Sequence, residues 1–274
     1  MKQENMGKKI ALVTGATSGL GKAIAEKLAA EGYKVYGAAR RDPDPAQERG
    51  GIEYLRMDVQ DEASVRAGIA SIIASVGHVD VLVACAGMGI SGAVEDSPMT
   101  EIERQMDVNF LGTVRTVKGC LPAMRVQRAG KIIIIGSIAG LIGMPFQAFY
   151  SSSKFALEGF VESIRHEVRK FGIDVCVVEP GDFRTGFTGA RAKVDLADTA
   201  YAETFQRVIG IQEHDERNGC YPSKAANVVA ALLRRKRLPA RKTVGSGFQR
   251  FATFCKRIIP YAWFEAFYRI YYKV

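Results

Sequence analysis

The chain has 274 residues, 47% hydrophobic and 24% charged, with 28 glycines and nine prolines, which suits one large domain with a buried core and excludes low complexity. Five scattered cysteines (Cys85, Cys120, Cys176, Cys220, Cys255) form no CxxC and three histidines stand alone, so neither a disulfide framework nor a metal site is expected. The formal charge of +9 has no helix-turn-helix, zinc-finger or RNA-binding signature beside it, which removes nucleic acid and leaves solvated surface, an acidic protein or anionic lipid.

The polar leader MKQENMGKK runs straight into IALVTGA with no secretory apolar region, so a cytoplasmic protein is expected. From there apolar runs of strand length alternate with amphipathic stretches. Strands are predicted near 9–14, 33–38, 52–57, 80–84, 131–136 and 173–179, with a short seventh near 241–245. Helical patterns lie near 20–31, 61–76, 100–127, 149–171 and 222–235. Segments such as KIIIIGS and IDVCVVEP are almost continuously apolar, as expected where helices cover both faces of a parallel sheet. The alternation predicts an α/β fold: a doubly wound, Rossmann-like domain over residues 1–245, with a separate C-terminal extension over 246–274. Ligands in such sheets bind beyond the carboxyl ends of the strands, so residues just after a strand are site candidates.

After the first strand comes TGATSGLG. Gly15, Gly19 and Gly21, with Thr17, Ser18 and Leu20 between them, permit a tight turn and close approach of a diphosphate to the next helix's N-terminus. The second strand ends in VYGAARRD. A site that prefers NAD carries a carboxylate here for the adenosine ribose, whereas this chain has Ala39 followed by Arg40 and Arg41. A guanidinium binds a 2′-phosphate bidentately, so NADP(H) is expected, with Arg40 the main contact. Asp58, ending the third strand beside Val59, is placed to meet the adenine edge.

Tyr150 and Lys154 share a helix face at i and i+4. Ser137 ends the strand KIIIIGS at the same sheet edge, and Asn109 rides on the preceding long helix. With the glycine turn, Asp58-Val59, Asn109 followed by Gly112, Ser137, Tyr150-xxx-Lys154 and PGDFRT at 180–185, the chain resembles the short-chain dehydrogenase/reductase family over nearly all of residues 7–245. The resemblance implies that Tyr150 exchanges a proton with a substrate carbonyl or alcohol and that Lys154 binds the nicotinamide ribose. It implies that Ser137 holds the carbonyl oxygen, Asn109 anchors a water on a proton path, and no metal takes part. Ala86, Gly87, Pro180, Gly181, Phe183 and Thr185 would complete the cofactor site. A free phenol titrates near 10; one cation about 5 Å away at an effective dielectric near 20 is worth about 3 kcal/mol, or roughly two pH units of acidification. One departure stands out: where the family commonly reads Asn-Asn-Ala-Gly, this chain has Ala84-Cys85-Ala86-Gly87, which removes amides that would pin the central sheet.

Between Ser137 and Tyr150 lies IAGLIGMPFQAF, with Gln147 its sole polar side chain. Leu141, Met144, Phe146, Phe149 and Phe187, if they face the cleft, suit a bulky lipophilic ketone or alcohol; packing in the core or an oligomer contact is the alternative for each. The stretches MDVNFLGTVRTVKGCLPAMR and SSSKFALEGFVESIRHEV are similar to the hydroxysteroid and retinol dehydrogenase branch, which implies a steroid, retinoid or keto-lipid substrate and a homo-oligomer (dimer or tetramer). A 3-oxoacyl-(acyl carrier protein) reductase and a non-catalytic NADPH-binding sensor or membrane scaffold are the competing functions. Residues 246–274 hold ten of the chain's 25 aromatics, and five Lys/Arg against one Glu. Pro260 divides them into two short helical patterns with no spanning run. That extension either rests peripherally on an anionic, inner membrane surface or packs over the substrate flap or a neighbouring subunit.

Overall fold

The protein is described here by a computed structural model covering residues 7–40 and 51–274. β1 (Ile10–Thr14) leads into α1 (Gly19–Ala30), β2 (Lys34–Ala39) and β3 (Ile52–Arg56), and α2 (Glu62–Val76) returns the chain to β4 (Val81–Ala84). A two-residue strand, β5 (Ile90–Ser91), precedes α3 (Met99–Met106), α4 (Gly112–Gln127), β6 (Gly130–Ile135) and α5 (Ala148–Val168). Then follow β7 (Ile173–Pro180), α6 (Phe187–Ala190), β8 (Ala192–Lys193), α7 (Ala202–Arg217), α8 (Pro222–Arg234), β9 (Arg241–Val244), α9 (Gly247–Ile258) and α10 (Tyr261–Tyr272).

Seven strands form one parallel sheet in the order β3-β2-β1-β4-β6-β7-β9, and β5 pairs with β8 apart from it. Alternation along β6 explains why its apolar run is continuous. Ile132 and Ile134 enter the core beneath α2, α4 and α5, while Ile133 and Ile135 enter the one beneath α1 and α8. Chain order reverses between β1 and β4, which opens the crevice where such folds hold ligands.

The seven main strands and the helices α1, α2, α5 and α8 lie where the periodicity predicts. The expected helix over 100–127 is interrupted: a π turn at Asp107–Leu111 separates α3 from α4. α7 has no counterpart among the predicted helices. Its buried face consists of Phe205, Val208, Ile209 and Gln212 alone, too narrow a stripe to stand out in the sequence. The C-terminal extension packs against the sheet domain. A Cβ placed on Gly181 would lie 2.2 Å from the Gln249 side chain, so α9 is seated directly against the end of β7.

Candidate active site

The β1–α1 turn is shaped by close approach. Gly15 has φ +66°, and a Cβ on Gly21 would stand 2.2 Å from the Gly15 carbonyl oxygen, so a side chain there would push helix and strand apart. Ser18 precedes α1 without capping it by its side chain, leaving the first-turn N–H groups directed at the crevice. The missing amides after β4 are compensated from β1: Thr14 Oγ1 accepts from the Cys85 and Ala86 N–H groups at 2.9 and 3.0 Å. A small-residue cradle beside an uncapped helix start fits a dinucleotide's diphosphate.

At the other end of the crevice, α5 carries Tyr150 and Lys154 beneath the Ser137 turn. Tyr150 and Ser137 line the same cleft, and the Lys154 ammonium lies 5.7 Å from the Tyr150 ring centroid. Lys154 Nζ donates to the Ile135 carbonyl at 3.0 Å, which holds the side chain across the end of β6. Burial pushes Tyr150 up to about 12, with Ser137 and then Arg191 acting against it. Burial likewise pushes Lys154 down to about 8. The acidified tyrosine expected from the sequence is therefore not the protein's intrinsic state. Enclosure disfavours the charged form of both groups and leaves Tyr150 a protonated donor at neutral pH.

Asn109 sits in the π turn, fully buried. Its Oδ1 accepts from Met88 N at 2.8 Å, and its Nδ2 donates to Met88 O at 3.0 Å and Ser153 Oγ at 3.1 Å. The carboxamide thus braces the loop after β4 against α5, where a water anchor was expected. The extra residue of the π turn is what brings it to that loop.

One cleft of about 440 Å³ brings together most of the predicted residues: Gly15, Ser18, Gly19, Leu20, Gly21, Ala86, Gly87, Ser137, Met144, Tyr150, Lys154, Pro180, Gly181, Phe183, Thr185 and Phe187. Thr17, Arg40, Asp58 and Val59 do not line it. Arg40 is exposed at the carboxyl end of β2, and Asp58 Oδ1 accepts from Gln60 N at 3.0 Å. Val59 is buried, and its side chain is packed over Gly112. Arg41 lies outside the described residues. Leu141, Phe146 and Phe149 do not face the cleft as expected. Phe146 instead meets Tyr201 and Phe205 at centroid distances of 6.2 and 5.4 Å, in a small core shared with Leu196 and Ile209. Apolar character alone could not separate this flap core from a substrate wall. Phe187 does reach the reacting end, with its ring 5.8 Å from that of Tyr150.

A second chamber of about 350 Å³ adjoins the cleft and shares Ile138, Met144, Asp182 and Glu216 with it. Phe248, Phe267, Tyr268 and Tyr271, from the C-terminal helices, form one side; Asp182, Asp215 and Glu216 supply carboxylates. Glu216 pairs with the buried Arg191 and accepts from Thr188 Oγ1 at 2.6 Å, and Asp215 accepts from the Tyr271 hydroxyl at 2.7 Å. Asp182 accepts a hydrogen bond from the Gln249 side-chain amide. Burial, reinforced by Asp215 and Glu216, pushes the Asp182 carboxyl up to about 7. Asp182 lies inside the PGDFRT motif, but its neighbours come from α7 and α9, which no sequence spacing links to it.

Comparison with known proteins agrees with this geometry. Residues 9–195 match the family described as short chain dehydrogenase. The chain is a short-chain dehydrogenase. Members of this family are oxidoreductases that use a nicotinamide cofactor. This short-chain dehydrogenase is 42% identical over 271 residues to 3-ketodihydrosphingosine reductase of Bacteroides thetaiotaomicron, covering 98% of the chain and 100% of that protein. It is 36% identical over 249 residues to human 17-beta-hydroxysteroid dehydrogenase type 1, covering 84% of the chain and 75% of that protein. A crystal structure of a short-chain dehydrogenase from Streptomyces avermitilis superposes with a TM-score of 0.81 at 33% identity, covering 89% of this chain and 90% of that one.

Proposed function

We propose that this protein is an NADPH-dependent reductase of a long-chain ketone bearing an amino group next to the carbonyl, the chemistry of a 3-keto sphingoid base. The observation that carries the reading is that the two chambers share Ile138, Met144, Asp182 and Glu216 in their walls. The cleft that holds Tyr150 and Ser137 lies beside a chamber lined by aromatic rings and carboxylates. A long-chain 2-amino-3-ketone has a cation on the carbon next to the reacting carbonyl and an alkyl chain on the carbonyl's other side. Asp182 and Glu216, common to both chambers, suit the cation, and Phe248, Phe267, Tyr268 and Tyr271 suit the chain. The similarity to a 3-ketodihydrosphingosine reductase over the full length of both chains supports the same substrate class.

The cradle at Gly15–Gly21 would hold the cofactor diphosphate, and Arg40 at the end of β2 would select the 2′-phosphate of NADP(H). Bound there, the cofactor supplies hydride to the carbonyl carbon. Ser137 holds the carbonyl oxygen by hydrogen bonding, and Tyr150 donates its proton to that oxygen as negative charge develops. Lys154, positive at neutral pH, stabilises the resulting tyrosinate through space. The enclosed phenol is protonated at neutral pH, the form that donates to a carbonyl oxygen.

The test is NADPH oxidation over a panel comprising a long-chain 2-amino-3-ketone, its N-acylated form, a neutral long-chain ketone, a ketosteroid and a 3-ketoacyl thioester. The highest kcat/KM is expected for the free amine. A preference for the N-acylated or neutral compounds would remove the amine assignment, and no turnover of any member would remove the reductase reading.

A further inference from the structure

The outer face of the C-terminal helices is reversed relative to an ordinary surface helix. Such a helix buries its apolar stripe and shows polar residues to water. α9 instead seats Gln249 and Thr253 toward the protein, Gln249 against Asp182 and Thr253 buried, and turns Phe248, Phe251, Phe254 and Ile258 outward. Phe251 is 63% exposed and Ile258 64%. α10 buries Phe264 and Tyr272 but exposes Trp263, Phe267 and Ile270. The two outward stripes meet where Phe248 lies 6.3 Å from Phe267 and 6.5 Å from Tyr271, ring centroid to centroid. Arg250, Arg257, Arg269 and Lys273 are exposed on the same two helices and their ends, with Glu265 the one acidic residue after position 246.

A contiguous aromatic face of this kind needs a cover. The positive residues around it match an anionic surface, and aromatic rings with a polar edge suit the boundary between lipid headgroups and acyl chains. Each helix has 12 residues, about 18 Å of length, well short of the hydrocarbon thickness. Among the described residues no helix is long and apolar enough to cross a membrane. The arrangement is therefore one that lies in the interface plane.

We propose that α9 and α10 seat this enzyme on an anionic lipid bilayer. Phe248, Phe267 and Tyr271 belong to the outward face and also line the second chamber, so docking would present the chamber to the acyl phase. A long-chain ketone could then reach Tyr150 past Met144 and Ile138 without entering water. The delivery role rests on the reaction proposed above; the docking itself does not.

Trp263 is the chain's single tryptophan and is 74% exposed at the centre of the α10 stripe, so the unmodified protein reports on its own docking. Vesicles of phosphatidylglycerol mixed with phosphatidylcholine should move its emission to shorter wavelength and shield it from acrylamide. About tenfold more protein should pellet with them than with phosphatidylcholine alone, and high salt should reduce the difference. The triple variant Phe251→Asp, Phe254→Asp, Ile258→Asp should lose both effects while keeping NADPH-dependent turnover of a short, water-soluble amino ketone. Unchanged Trp263 emission with anionic vesicles overturns the proposal. So does emission already shielded in buffer that becomes exposed on dilution, because a second copy of the chain would then be the cover. Turnover of the soluble ketone without vesicle binding removes the docking alone; vesicle binding without turnover removes the reaction alone.

Discussion

Replacing Asp182 by Asn probes the chamber at the group common to its two halves. In the folded protein burial, together with Asp215 and Glu216, raises this carboxyl from 3.8 to about 7. Holding it ionised at neutral pH is thus disfavoured by up to about 4 kcal/mol relative to the unfolded chain. The sign follows from proton uptake. Between about pH 4 and pH 7 the folded form binds the extra proton, so wild-type stability contributed by this group is present at acid pH and is lost as pH rises toward 7. The Asp182→Asn variant has no charge at this position to disfavour. Relaxation and partial solvation reduce the gain to roughly 1–2 kcal/mol, or a few degrees in Tm for a chain of this size, appearing at pH 8 and vanishing at pH 4. The same substitution should harm function selectively. A carboxylate–ammonium contact contributes about 1.5–3 kcal/mol, so kcat/KM for the 2-amino ketone should fall roughly 10- to 100-fold, while that for a neutral long-chain ketone stays unchanged. Thermal melts at the two pH values and steady-state NADPH oxidation with both ketones read the two effects. Equal losses on both substrates would refute amine recognition, and a variant less stable at pH 8 than at pH 4 relative to wild type would refute the electrostatic account of Asp182.

Three further outcomes are expected. Tyr150→Phe should bind NADPH as wild type does but lose turnover by about 10²- to 10⁴-fold, since only the transferable proton is removed; fluorescence titration beside a rate assay separates the two. Gly21→Ala should destabilise the fold by about 1–3 kcal/mol in urea and weaken NADPH binding, because its methyl group would meet the Gly15 carbonyl; retention of both would remove the close-approach argument. Arg40→Asp should shift the ratio of kcat/KM for NADPH over NADH by about 10- to 100-fold toward NADH, and an unchanged ratio would take Arg40 out of cofactor selection.

Much of this protein was legible in its sequence because the relevant interactions are local. The strand and helix periods report burial on one or both faces, so the continuous apolar runs of β6 and β7 announced a covered parallel sheet. The glycine turn lies within eight consecutive residues, and Tyr150 and Lys154 lie one helical turn apart, so both could be placed before any tertiary contact was known. What the sequence could not decide are pairings between distant segments. Phe146 and Phe187 are equally apolar, yet one fills the flap core and the other meets Tyr150. The Asn109 brace depends on one extra residue in a π turn, for which periodicity carries no signal. Asp182, Glu216 and Gln249 meet only because β7, α7 and α9 converge, and their shared enclosure displaces the Asp182 carboxyl. Composition showed that residues 246–274 are aromatic and basic. Which side of each helix points outward was decided by packing against the body, since a helix with polar anchors and two apolar stripes can turn either face to water.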